Sequence, residues 1–166
     1  MNFSFKFGFL KSKIMNEKER LLDFFDYNSY CNVELIKVIA PKVDEFPKRV
    51  EEVMSHILNS HIFWNNRCTG KPDNDRWIVH SPGDLLKINE ENHVLTRSVL
   101  TERELSEKIS FTNSKGGIST VTLGDIYYHL SNHGTYHRGQ LALLFRQSGV
   151  AEPVRTDYIF YKIMNQ

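Results

Sequence analysis

The feature that most constrains this chain is an unbroken helical period between Thr122 and Ser148. At about 100° per residue, Ile126, Leu130, His133, His137, Leu141 and Leu144 fall in one narrow stripe, so this stretch must lay a long face against neighbouring helices. Thr122 stands where an N-cap belongs, and Ser148-Gly149 supplies the stop. Two imidazoles sit inside the stripe, four residues apart, in His133-Gly-Thr-Tyr-His137-Arg-Gly-Gln. Spacing alone leaves a pair of solvated histidines open. Their place on a core-facing seam argues otherwise, because an unpartnered imidazole in an apolar setting costs a few kcal/mol. With no Asp or Glu between them, one cation satisfies both rings more simply than two separate hydrogen-bond arrangements.

Other segments carry the same period. From Asn16 to about Ala40, Leu21, Phe25, Ile36 and Ile39 share a face, which also holds Asn28 and Asn32, and Pro41 closes the segment. A second helix is predicted from Pro47 to Cys68, stopped by Thr69-Gly70-Lys71-Pro72. A polar connection follows, roughly Gly70 to His80, and Ser81-Pro82-Gly83-Asp84 opens a more charged third helix from Leu85 to about Leu105. Alternating residues in Ile109–Thr112 and Ile118–Thr122, around a Gly-rich turn, predict a short β-hairpin, and Asp157 to Ile163 a short last helix. The expected fold is all-α: a four-helix bundle with the hairpin between its third and fourth helices, a class that builds metal sites from inward-facing side chains.

Composition narrows the function. A net charge of +1 gives no reason to expect nucleic acid or an anionic membrane as partner, and no apolar run reaches the length of a membrane span. Cys31 and Cys68 form no metal or redox pattern and read as reduced thiols of a cytoplasmic protein. The apolar start of the chain is broken by Lys6 and followed by Lys11 and Lys13 without a small-residue cleavage site, so it does not read as a signal peptide. Residues 1–15 are read as an extension of no assigned function, with Met15 an alternative start, ahead of a domain spanning 16–166.

A catalytic metal site usually takes three protein ligands. His80, in the connection, and His93, among charges, are expected in solvent, and His129 lies roughly 75° off the seam centre, placing it beside the site. His56 and His61 remain, about 140° apart on the second helix, too far for both to bind one ion. The stripe Val50, Val53, Met54, Ile57 and Trp64 centres near His61, and periodicity alone favours that residue.

The chain from Met15 onward resembles the DinB/YfiT-like family of metalloproteins. The resemblance is carried by Tyr27-Asn28-Ser-Tyr-Cys-Asn32, by His56-Ile-Leu with Trp64, by His129-Leu-Ser-Asn-His133-Gly-Thr-Tyr-His137-Arg-Gly-Gln, and by Gly149, Pro153 and Thr156-Asp157-Tyr158. It implies an up-down-down-up bundle, commonly a homodimer, and a metal triad that falls here on His56, His133 and His137, with His61 the neighbouring alternative. Asn28, Asn32, His61, Trp64 and His129 become candidates for the pocket or for support of the ligands. The asparagines are equally suited to hydrogen bonds between helices. Arg138, about 100° from His137, is expected at the surface or an interface.

Three neutral histidines leave the metal's charge uncompensated, which suits Lewis-acid activation of water or of a low-molecular-weight thiol. Gly134 occupies the position that a His-Glu-x-x-His protease gives to its general base, so that chemistry is excluded, and no residue is assigned a catalytic role. Imidazole does not choose among transition metals; zinc or nickel is expected. The family resemblance implies a hydrolase or a thiol S-transferase acting on a small molecule. The rival reading is a non-catalytic metal-binding stress-response protein, in keeping with the damage-inducible label that some of the family carry.

Overall fold

The computed structural model describes residues 15–165. The extension read at the N-terminus therefore lies outside the described residues, apart from Met15. Four long helices dominate: α1 (Glu17–Ile39), α2 (Arg49–Thr69), α3 (Leu85–Glu102) and α4 (Leu123–Ser148). A 3-10 turn at Ala40–Lys42, containing Pro41, ends the first helical segment where proline was expected to. Strands β1 (Lys108–Thr112) and β2 (Ile118–Thr122) form an antiparallel hairpin with Ile109 opposite Val121, and α5 (Tyr158–Met164) follows α4. The protein is mainly α, as its periodicities predict.

Helix ends follow local chemistry. Asn16 accepts from the Glu19 amide and Glu19 reaches back to the Asn16 amide, a reciprocal cap at the start of α1. Thr122 and Asp125 do the same for α4. At the far end of α4, Gly149 turns the chain in the left-handed conformation (φ 67°) and returns its amide to the Phe145 carbonyl. The hairpin is tied to the start of α4 by backbone bonds from Leu123 to Glu107 and from Gly124 to Leu105.

Around the bundle the order is α1-α3-α2-α4, so α1 and α2 lie across from each other with little contact. Helices α1 and α3 run antiparallel, as Asp26 with His93 (2.8 Å) and Asn32 with Asn89 (2.9 Å) show. The buried apolar residues divide into two clusters. One holds Ile36, Ile39, Val50, Met54, Leu141 and Phe145; the other holds Leu21, Phe25, Leu100, Ile126, Tyr127 and Leu130. Between them lies a buried polar waist that includes Asn28, Asn32, His61, Asn65, Asn89, Asn92, Thr96 and Arg138. Buried polar groups are tolerable only when hydrogen-bonded, and nearly all of these are.

Candidate metal centre

The waist is where α2 and α4 bring their histidines together. His56 projects from the middle of α2, while His133 and His137 lie one turn apart on α4, with ring centroids 4.3 Å from each other. Each of the three offers a ring nitrogen, and these nitrogens lie within 4.8 Å of one another. The Nε2 atoms of His133 and His137 face each other at 3.1 Å. Two nitrogens bound at about 2.0–2.1 Å to one tetrahedral ion stand roughly 3.3 Å apart, so the α4 pair already has the spacing of ligands. His56 stands farther off, with its ring tilted toward both.

The rings are held as ligands need to be. His56 Nδ1 faces the Arg76 carbonyl at 3.2 Å, and His137 Nδ1 faces the side-chain oxygen of Gln140 at 2.9 Å. A carbonyl accepts only, so in each ring Nδ1 carries the proton and Nε2 keeps its lone pair. The Ser60 hydroxyl approaches His56 Nε2 at 3.5 Å. Burial, with the other two rings alongside, pushes the His133 pKa down to about 3, and burial lowers that of His56 as well. Neutral imidazoles are the form that binds a metal, and the donor set fits a borderline transition ion without a carboxylate.

His61 is elsewhere. It is 8% exposed, its Nε2 lies 2.7 Å from the Thr96 hydroxyl, and burial holds its pKa down to about 3. Thr96 passes its own proton to Asn65, which also accepts from Tyr127, so His61 belongs to a hydrogen-bonded core network. His129 is exposed and flanks the centre, its ring 5.5 Å from that of His133 and 5.4 Å from that of Trp64. Trp64 is half-buried, edge-on to Phe111, and is not part of the cluster. Asn28 and Asn32 are buried bridges between helices: Asn28 accepts from Arg138 at 2.6 Å, and Asn32 donates to Asn89.

Three expectations need correcting. Arg138 is 2% exposed, not a surface residue. Its guanidinium runs behind Gly134 to Asn28, Thr135 and Tyr27, because α1 covers the flank of α4 beside the seam. His80 is not simply solvated, since its Nε2 bonds the Asn59 side chain at 2.6 Å. His93 pairs with Asp26.

The connection between α2 and α3 contributes what sequence reasoning missed. It is strapped across α2 by Asn59 to the Ile78 carbonyl (2.7 Å), by the His80 amide to Ser55 (3.1 Å), and by His56 to Arg76. The strap lays the Trp77 ring flat on His56, 4.5 Å away, although that ring is 67% exposed. The apolar run Trp77-Ile-Val79 inside a polar linker was the available signal. Beside His56 and His137 opens a cleft of about 130 Å³, walled by Arg49, Glu52, Trp77, Tyr136 and Gln140.

A mainly helical protein with a group of three histidines that can hold a metal ion is what fold and site define together. The chain belongs to the DinB family, whose model matches residues 41–166. It is similar to Protein DinB of Bacillus subtilis (strain 168), 26% identical over 167 residues that cover 86% of this chain and 93% of that protein. No solved structure matches it. Among the described residues no helix is long and apolar enough to cross a membrane.

Proposed function

We propose that His56, His133 and His137 hold one divalent transition metal, zinc or nickel, in an enzyme that acts on a small molecule as a hydrolase or thiol S-transferase. The observation that carries this reading is the convergence of the histidine nitrogens, with two of the rings fixed by acceptors at Nδ1. When bound, such an ion supplies Lewis-acid activation of a water or a thiol. The residues around it have their own tasks. Arg76 and Gln140 hold the protons at Nδ1 of His56 and His137 and so keep the opposite nitrogens free. Trp77 shields one face of His56 from water. Glu52 is the carboxylate on the cleft wall; Arg49, its ion-pair neighbour at 3.0 Å, offers a donor to an anionic end of the substrate. A cleft of about 130 Å³ suits a low-molecular-weight substrate.

The second reading, a non-catalytic metal-binding stress-response protein, draws on Trp77, which closes one side of the centre. Either way we place a homodimer in the cytoplasm, with residues 16–166 as its domain. Elemental analysis tests the site: one metal per chain in wild type and His61→Ala, and loss in His56→Ala, His133→Ala and His137→Ala. Full occupancy in either α4 variant rejects it. Cobalt-substituted protein whose spectrum ignores added azide, with no turnover across thiol and ester panels, selects the binding protein over the enzyme.

A further inference from the structure

A second, smaller cavity borders the histidine cluster at His133 and shares no lining residue with the cleft. It measures about 10 Å³ and is lined by Asn28, Asn32, His61 and His133, with Ile57, Leu130 and Gly134. That volume is close to the least that holds a single water, which also needs two to four polar partners. The four polar lining residues each have one function left over, and the surrounding hydrogen bonds fix which.

Asn89 donates its amide to Ser29, so its oxygen is the acceptor for Asn32 Nδ2 at 2.9 Å. This leaves the Asn32 oxygen, buried and without a partner among the described residues. Asn28 accepts from Arg138 through its oxygen, which leaves its amide N–H. Thr96 spends its hydroxyl proton on Asn65 and accepts from His61 Nε2–H, leaving His61 Nδ1 as a lone pair. His133 turns Nε2 toward His137, and its Nδ1, unlike those of His56 and His137, meets no acceptor among the described residues. With His133 Nε2 given to a metal its proton sits at Nδ1, and two donors and two acceptors then line one cavity, the complement of a single water.

We propose that this cavity is a built site for one water, which accepts from His133 Nδ1–H and Asn28 and donates to Asn32 and His61. Asn32 is thereby a positioning residue for the metal centre, acting on His133 through the water from α1. The bridge does for His133 what Arg76 does for His56 and what Gln140 does for His137, so that all three rings have their tautomer set. It rests on the metal reading given above, and its test separates the two.

A crystal structure of the whole chain should show a water within hydrogen-bond distance of His133 Nδ1 and Asn32 Oδ1. Zinc affinity, measured with Zn²⁺ alone against a chromophoric chelator, should fall about 10- to 100-fold in Asn32→Leu, the usual effect of losing a partner behind a ligand. Asn32→Asp, which keeps an acceptor in place once Asn89 turns its amide, should restore most of it. Circular dichroism of each metal-free variant checks that the bundle persists, and the crystallographic water carries the test if the Leu variant fails to fold. A dry cavity, or unchanged zinc affinity in Asn32→Leu, overturns the bridge while leaving the metal site standing. Wild type that binds no Zn²⁺ overturns both.

Discussion

Gly134 and Gly139 lie on the same helix, and replacing each with alanine should shift stability in opposite directions. In a helix interior, alanine is favoured over glycine by about 1 kcal/mol. At Gly139 an added Cβ meets nothing within 4 Å among the described residues, so Gly139→Ala should keep most of that gain. At Gly134 the same Cβ would stand 3.0 Å from Arg138 Nη1 and 3.2 Å from Asn28 Oδ1, the two atoms joined by the 2.6 Å bond behind the helix. Arg138 cannot swing into water, because it is 2% exposed with α1 packed over it. Displacing a hydrogen bond to a charged group costs about 1.5–3 kcal/mol. Set against the helix gain, Gly134→Ala should be destabilised by about 0.5–2 kcal/mol. Urea denaturation of the chelator-treated protein reads both variants, and melting follows at about 2–4 °C for each kcal/mol in a chain of this size. Helix propensity is common to the pair, so the difference isolates the close approach of α1. A Gly134→Ala as stable as Gly139→Ala would refute the placement of Arg138 and Asn28 behind the helix.

Acid should destabilise the metal-free protein in a defined window. His61 and His133 have folded pKa values near 3, below the ordinary 6.5, so the unfolded chain binds protons that the folded one refuses as pH falls from 6.5 toward 3. Their stability contribution is complete above 6.5 and is lost through that window; His61→Gln should make the decline shallower by up to about 1.4 kcal/mol per pH unit, and equal slopes in urea titrations would reject this. Sedimentation at micromolar concentration should give a dimer, since Tyr136 and Leu143, two turns apart on α4, leave apolar surface outside the bundle; a monomer alone would reject it.

The helices were legible because each carries a continuous apolar stripe, and Leu21, Phe25, Ile36 and Ile39, read as one face, are all buried. Helix caps at Thr122 and Gly149 were equally local. What failed was inference about flanks. A single stripe assumes one neighbour on one side, but α4 is covered by α2 and by α1, and the second cover turns Arg138 from a surface residue into a buried one. The two α2 histidines part for a related reason: His61 lies in the core and His56 at its edge. The place of His61 at the centre of the α2 stripe put it in the core, where Thr96 satisfies it, and the edge position of His56 is what turns that ring toward α4. Trp77 was out of reach because periodicity says nothing about a linker strapped down by side chains twenty residues earlier.

The polar waist explains why the site is built where it is. Apolar ends of a bundle tolerate sliding, because one aliphatic contact replaces another at little cost. A helix shifted by one turn at the waist would strand Asn28, Asn32, Asn65, Asn89 or Asn92 without partners, each at about 1–3 kcal/mol. The bonds from Asn32 to Asn89, from Asn92 to the Leu58 carbonyl and from Tyr127 to Asn65 therefore fix the axial positions of all four helices against one another. That register carries His56 on α2 to the level of His133 and His137 on α4. The two apolar clusters then supply the stability that a layer of polar groups does not, one on each side of it.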